Sequence, residues 1–249
     1  MKRVQSDQKS ILSKLSGGLI VSCQSEPPEP FARPSLILAM AQAALLGGAV
    51  GIRSNLPRNI RFLLRHLDVP LIGLYKKHYK QSEVFITPTL KEVKALIKSE
   101  APIIALDATN RLRPGKKQLS DLVEFVRSQS NCLLMADVST VQEGVRAAEM
   151  GFDLVGSTLS GYTSYTKHRF KPDEPDFDLI EQLVKEVGEK VPIIAEGRIW
   201  QPDQAKKCLE LGAFAVVVGT AITRPWVLTE RFVRALEPRR TAPGSMHEG

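Results

Sequence analysis

Two ionisable residues, Lys76 and Glu196, each end a short apolar run that is typical of a buried strand. Lys76 closes the segment PLIGLYK (70–76), and Glu196 closes PIIAE (192–196). An α/β barrel places its reactive side chains at the carboxyl ends of its parallel strands. An amine and a carboxyl group that meet there can remove a proton from a bound molecule and return it. The sequence therefore predicts an acid–base pair formed by Lys76 and Glu196.

Polar residues also end other apolar runs. Because side chains alternate along a strand, we expect those with the parity of Lys76 to point into the barrel mouth. The candidates are Gln24, Arg53, Asp107 and Asp137. Each also has a purely structural interpretation, such as a turn cap for Asp107 or a carboxylate partner for Arg53. Glu196 itself could serve only as an ion-pair partner of Arg53 or Arg224.

Two glycine-containing loops near the end of the chain predict a phosphate site. They read EGRI (196–199) and VGTAITRP (218–225). Loops after the last two strands of many barrels bind phosphate, because glycine lets backbone N–H groups approach the anion. The expected ligands are Gly197, Gly219 and Thr220, with Arg224 and Arg198 as charged donors. The alternative is that the glycines only make tight turns.

Strand-like and helix-like segments alternate along the 249 residues, which is typical of repeated βα units. The predicted strands span 19–23, 49–53, 71–76, 103–107, 132–137, 154–158, 192–196 and 213–219. Amphipathic segments predict helices over 60–67, 91–98, 122–128, 177–188 and 203–212. The count favours an α/β fold, a single (β/α)8 TIM barrel over residues 1–238. We expect a short N-terminal helix that plugs the barrel, and a flexible, disordered basic tail over 239–249.

Individual residues predict where some helices begin and end. Thr89 and Ser120 are expected to be helix N-caps. Gly151, Gly188 and Gly212 are expected to follow the ends of helices, where a residue in the left-handed conformation is favoured.

Composition and charge exclude several classes of protein. No apolar run approaches the ~20 residues of a membrane span, and the N-terminus lacks a signal-peptide pattern, so we expect a cytoplasmic protein with no membrane partner. Three cysteines and four histidines form no ligand pattern, so neither disulfide nor metal is predicted. The net charge is +7, without a basic stripe interleaved with aromatic residues, and we expect no nucleic-acid partner. A homodimer is left open.

Linked motifs give the chain a resemblance to a known family. The segments are GGLIVSCQ (17–24), GIRSN (51–55), VFITPTLKEV (84–93), ALDAT (105–109), ADVST (136–140), STLSGYT (157–163), AEGRI (195–199) and VGTAITRP (218–225). Together they closely resemble the N-acetylmannosamine-6-phosphate 2-epimerases. The resemblance implies a phosphate-binding barrel that interconverts N-acetylmannosamine 6-phosphate and N-acetylglucosamine 6-phosphate in sialic-acid catabolism, without a metal or organic cofactor.

The resemblance also implies residue roles. The family's catalytic lysine and carboxylate correspond to Lys76 and Glu196. Its substrate-positioning residues correspond to Gln24, Arg53, Asp137 and Arg224, and its phosphate loops surround Gly197 and Gly219. Ser157, where the family pattern has threonine, and Arg198, at a variable place, are departures from it.

Two alternatives remain at this point. Lys76 could form a Schiff base in an aldolase-like barrel, or in another barrel enzyme that binds sugar phosphates. The barrel could also bind a sugar phosphate for regulation without catalysis.

Overall fold

A closed barrel of parallel strands forms the centre of the molecule. The computed structural model describes the backbone of residues 2–236 and the side chains of residues 8–236. Each strand pairs with its neighbours in chain order, and β8 closes the barrel on β1. The strands are β1 Leu19–Ser22, β2 Gly51–Asn55, β3 Leu71–Leu74, β4 Ile103–Asp107, β5 Leu133–Asp137, β6 Leu154–Gly156, β7 Ile193–Glu196 and β8 Ala215–Val218. The predicted (β/α)8 barrel is confirmed; the predicted tail, 239–249, lies outside the described residues.

Helices precede the barrel and connect its strands. They are α1 Lys2–Leu15, α2 Pro34–Leu46, α3 Pro57–Leu64, α4 Leu90–Ile97, α5 Leu119–Gln129, α6 Val141–Glu149, α7 Phe177–Val187, α8 Pro202–Glu210, α9 Thr220–Thr223 and α10 Pro225–Leu236. As predicted, α1 plugs one end of the barrel, because Leu15 at its end is fully buried against interior residues such as Ile20. Each of these helices is too short or too polar to span a membrane.

The predicted alternation of side chains along the strands is confirmed. Ile72 and Leu74 belong to the apolar cluster inside the barrel. Ile52 belongs instead to the cluster between strands and helices. Its neighbour Arg53 therefore points inward, where its guanidinium reaches Met135 Sδ at 3.5 Å.

The segments that form α2 and α6 were not among the amphipathic stretches predicted as helices, for different physical reasons. The segment that forms α2 is apolar on nearly every side, so it shows no amphipathic stripe. The segment that forms α6 contains Gly144, which lowers helix propensity. A side chain at Gly144 would place its Cβ 2.3 Å from Leu183 Cδ2, so the glycine permits close packing of α6 on α7.

The predicted helix ends are partly confirmed. Thr89 caps α4 by accepting a hydrogen bond from the Lys91 N–H at 3.2 Å, and Gly151 and Gly212 have φ of 84° and 93°. The prediction for Ser120 is wrong, because a capping box between Gln118 and Asp121 starts α5 earlier. The prediction for Gly188 is also wrong. Its φ is −59°, because its N–H still bonds the Val184 carbonyl in helical geometry.

Candidate active site

A cavity of about 420 Å³ opens at the barrel mouth, where the carboxyl ends of the strands meet. All of the sequence-predicted site residues except Arg53, Asp107 and Asp137 line it: Gln24, Lys76, Glu196, Gly197, Arg198, Gly219, Thr220 and Arg224. Arg53 and Asp137 are almost fully buried and join this group through Glu196. The barrel therefore gathers residues that lie up to 200 positions apart in sequence into one pocket.

Lys76 lies two residues beyond the end of β3, so the prediction that it ends the strand is wrong. The chain turns back there, and Lys76 forms an isolated antiparallel bridge with Ile86. Its N–H donates to Asn55 Oδ1 at 2.9 Å, which fixes the backbone at this point. The half-buried side chain still lines the cavity, as expected.

Three features of the site lower the pKa of Lys76 from its ordinary value. Burial is the largest, and the positive charges of Arg53 and Arg224 add to it. Glu26 and Glu196 act in the opposite direction, but they do not reverse the shift. A lysine in this setting exchanges its proton more readily near neutral pH than an exposed one.

Arg53 holds two carboxylates together beneath the cavity. Its Nη2 lies 2.6 Å from Asp137 Oδ2, and its Nη1 lies 3.1 Å from Asp137 Oδ1. The same Nη1 lies 3.0 Å from Glu196 Oε2. Both Arg53 and Asp137 are at most 1% exposed, so this ion pair is shielded from water. Arg53 thereby fixes the position of Glu196 at the end of β7.

The surroundings of Glu196 raise its pKa to about 7. Burial is the main cause, because a carboxylate loses its hydration there, and the nearby Asp137 charge adds to it. Arg53, the Thr158 hydroxyl and Lys76 oppose the shift without cancelling it. Glu196 is therefore poised to exchange a proton near neutral pH.

Sequence reasoning missed two residues that organise this cluster. The Thr158 hydroxyl lies 2.8 Å from Asp137 Oδ1 and 3.0 Å from Glu196 Oε2. Asn55 supports Lys76 and donates its side-chain N–H to Glu26. Both lie inside segments that carried the family resemblance, at or just beyond strand ends. That position was the only signal that could have identified them.

Two of the remaining predicted residues, Gln24 and Arg224, lie at the rim of the cavity. Gln24 Nε2 donates to Ser22 Oγ at 2.7 Å, while its buried Oε1 has no hydrogen-bond partner among residues 8–236. Arg224 forms an ion pair with Glu29 at 3.2 Å. Asp107 does not join the central cluster, because Arg111 neutralises it at 2.6 Å.

The two glycine loops lie side by side at one end of the cavity. Gly197 and Arg198 both have positive φ, 113° and 56°, so the chain turns sharply after β7. Gly219 follows β8 and precedes α9. Arg198 already donates Nε to the Glu174 carbonyl at 2.9 Å and Nη1 to the Ser160 carbonyl at 2.5 Å. Arg198 therefore holds the loop after β6 in place along one side of the cavity.

The fold and this cavity define a (β/α)8-barrel enzyme whose ionisable side chains meet at the strand ends. A family model described as "Putative N-acetylmannosamine-6-phosphate epimerase", NanE, matches residues 37–238. The chain belongs to this family.

Individual relatives cover nearly the whole chain. A protein of Caldanaerobacter subterraneus subsp. tengcongensis described as "Putative N-acetylmannosamine-6-phosphate 2-epimerase" is 47% identical, over 94% of this chain and 97% of its own. A Clostridioides difficile protein with the same description is 45% identical, over 91% and 99%. The solved structure of the N-acetylmannosamine-6-phosphate 2-epimerase from Clostridium perfringens has 45% identity and a TM-score of 0.85, covering 90% of this chain and 96% of that one.

Proposed function

We propose that the protein interconverts N-acetylmannosamine 6-phosphate and N-acetylglucosamine 6-phosphate, as an isomerase of amino-sugar and sialic-acid catabolism. The observation that carries the proposal is that Lys76 and Glu196 line one cavity with their pKa values shifted toward neutrality. Membership of the epimerase family supports the choice of substrate.

The proposed chemistry is a proton transfer at C2 of the sugar. In the open-chain form, the C2–H bond lies beside the C1 aldehyde, which makes this hydrogen acidic. One of the two groups, Lys76 or Glu196, takes the proton, and the electron pair of the C–H bond passes into the enolate. The other group gives a proton to the opposite face of C2, which inverts this carbon. Only protons leave and return, so the proposal includes no cofactor.

Neighbouring residues hold the pair and the substrate in place. Arg53 and Asp137 fix Glu196 through the ion pairs described above. Gln24 and Arg224 are proposed to position the sugar, because both line the cavity and both carry hydrogen-bonding groups. Preorganised groups of this kind reduce the entropy that must be lost to reach the transition state.

The phosphate group is proposed to bind at the glycine loops. Gly197, Gly219 and Thr220 line this end of the cavity beside Arg198. Glycine lets backbone N–H groups approach an anion closely. The phosphate lies several carbons from C2, so its binding energy serves to hold C2 between the acid and the base.

A comparison of phosphorylated and unphosphorylated substrates tests this function. Proton NMR measures conversion of N-acetylmannosamine 6-phosphate and of N-acetylmannosamine by the wild-type protein. We expect kcat/KM to be far higher for the phosphorylated sugar. Arg224→Ala should raise KM for it, whereas Arg61→Ala, which alters an exposed cation outside the cavity, should not. Equal kcat/KM for the two sugars would refute the phosphate site, and no conversion of either would refute the function.

The lowered pKa of Lys76 also suits a Schiff-base enzyme, which is the second candidate. Borohydride reduction in the presence of the sugar phosphate separates the two mechanisms. A stable adduct on Lys76, found by mass spectrometry, would favour the Schiff base. Proton transfer through Lys76 leaves no adduct.

We further propose a homodimer that acts in the cytoplasm, with residues 1–238 as the functional domain. The helix α10 exposes Phe232, Val233 and Leu236 by 71%, 51% and 82%, an apolar face that a second copy would cover. Sedimentation equilibrium should give twice the chain mass, and Phe232→Ser should reduce the measured mass.

Truncation after residue 238 tests the proposed functional domain and should leave kcat/KM unchanged.

A further inference from the structure

A second cavity of about 500 Å³ lies beside the loop that joins β4 to α5. It shares no lining residue with the cavity at the barrel mouth. Five cationic side chains line it: Arg111, Arg113, Lys116, Lys117 and Arg146. We propose that this β4–α5 pocket binds a phosphate-bearing anion at a site separate from the mouth.

Arg113 lines the pocket, and one of its side-chain donors has no acceptor in the described part of the chain. The residue is only 6% exposed, and its Nη1 donates to the Pro88 carbonyl at 3.3 Å. Its Nη2 is buried and has no hydrogen-bond partner among residues 8–236. A buried charged donor without an acceptor costs more free energy than one with a partner. Burial lowers the pKa of Arg113 to about 10, so the group stays cationic at neutral pH and attracts an anion.

The acidic groups near the pocket already have hydrogen-bond or ion-pair partners. Glu143 is 1% exposed, and its two oxygens accept hydrogen bonds from donors that include Tyr165 and Ser139. Asp107 forms an ion pair with Arg111, and Asp121 Oδ2 lies 4.0 Å from Lys117 Nζ. In the part of the chain whose side chains are described, Arg113, Lys116 and Arg146 form no ion pair. The pocket therefore carries a net positive charge that its own carboxylates do not balance.

The backbone adds to this preference for an anion. Leu119 and Ser120, the first residues of α5, line the pocket. The N–H groups in the first turn of a helix point outward without intrahelical acceptors, and the helix dipole favours negative charge there. Arginine forks and helix N–H groups together match the geometry of a phosphate. The volume of the β4–α5 pocket is similar to that of the mouth cavity, so the pocket can hold a phosphorylated sugar and not only inorganic phosphate.

Equilibrium dialysis with inorganic phosphate tests the proposal. The probe is titrated at constant ionic strength set with chloride, and bound phosphate per chain is counted. Lys116 and Arg146 are exposed, so Lys116→Gln combined with Arg146→Gln should fold normally. The control combines Lys91→Gln with Lys190→Gln, which removes the same charge from exposed positions outside both cavities.

We expect the Lys116→Gln/Arg146→Gln protein to bind one phosphate fewer per chain than the wild type and the control. Its kcat/KM and its competitive inhibition by phosphate, which report on the mouth, should be unchanged. This difference holds whether or not the mouth itself binds phosphate, so it does not depend on the proposed function. Equal numbers of bound phosphate in all three proteins would overturn the proposal. Dialysis with glucose 6-phosphate then distinguishes a sugar phosphate from free phosphate as the preferred ligand, by the tighter binding at this site.

Discussion

The guanidinium of Arg53 lies 3.0 Å from the carboxylate of Glu196, and yet the pKa of Glu196 is raised to about 7. Arg53 also makes two hydrogen bonds to Asp137, so its charge serves two carboxylates at once. Burial and the Asp137 charge outweigh the attraction that remains. The ion pair therefore positions Glu196 without fixing it in the ionised form, which is what a group that gives and takes protons requires.

Replacing Glu196 by glutamine should abolish most of the activity. The amide has the same shape, but it cannot accept or deliver a proton at C2. Proton transfer by a placed side chain contributes on the order of 10²–10⁴-fold, so kcat should fall at least that far. Glu210→Gln, at an exposed position on α8, is the control. Near-normal turnover by the Glu196→Gln protein would rule out the two-residue scheme.

The stability of the same variant should depend on pH in a defined direction. The folded state raises the pKa of Glu196 from 4.5 to about 7, so folding disfavours its ionised form. The stabilising contribution of the protonated group is complete below pH 4.5 and is lost as pH rises through about 7. The free energy of unfolding of the Glu196→Gln protein, relative to that of the wild type, should therefore increase as the pH is raised between these two values. Urea denaturation at pH 5 and pH 8 measures this change, and an opposite trend would contradict the pKa assignment.

Replacing Lys76 by arginine should remove activity while keeping a positive charge. Arginine stays protonated, so it cannot act as a base. In the wild type, the limb of the pH–rate profile that reports on Lys76 should have its midpoint below pH 10.5, because burial and nearby cations lower the pKa of Lys76. Lys77→Arg is a matched control, since Lys77 is exposed and next in the chain. Equal losses in both variants would contradict a specific role for Lys76.

Thr158→Val should change the pH profile more than the binding of substrate. The hydroxyl of Thr158 donates to Glu196 and thereby holds the pKa of Glu196 down. Its removal should raise that pKa and shift the corresponding limb of kcat/KM to higher pH, whereas Thr158→Ser should restore it. A profile identical to wild type in the valine variant would exclude this influence.

Asp137→Ala should destabilise the fold strongly. It leaves the buried Arg53 without its main partner, and breaking a buried ion pair costs about 3–5 kcal/mol. Glu230→Ala, which removes the exposed ion pair with Arg234, should cost only about 0–1 kcal/mol. Urea denaturation compares the two. Similar small losses in the free energy of unfolding of the two variants would mean that Arg53 finds another partner.

Local patterns located all eight strands, because each strand overlaps a short apolar run. The bounds of β2 were less accurate, since it extends to Asn55, beyond the predicted 49–53. Local patterns did not predict where the chain leaves β3. Lys76 lies beyond that strand because residues 75–87 fold back on themselves, with the Lys77 N–H bonded to the Phe85 carbonyl. That pairing depends on a loop whose path the sequence of β3 does not encode.

Most members of the site were predictable from the sequence, but their contacts were not. Strand parity identified Arg53, Asp137 and Glu196 as residues of the mouth, because alternation is a local property. Which carboxylate each cation binds depends on barrel closure, which brings β2, β5 and β7 together across the interior. For this reason Thr158 was not singled out. Asp107 was expected beside the others, but it pairs locally with Arg111, four residues further along the chain.

Incubation of the protein with N-acetylmannosamine 6-phosphate in D₂O tests the central proposal most directly. If Lys76 and Glu196 move the C2 proton, the N-acetylglucosamine 6-phosphate that forms should carry deuterium at C2, and its H2 signal should be missing from the proton NMR spectrum. Product that forms at the normal rate with its original hydrogen still on C2 would contradict the proposal.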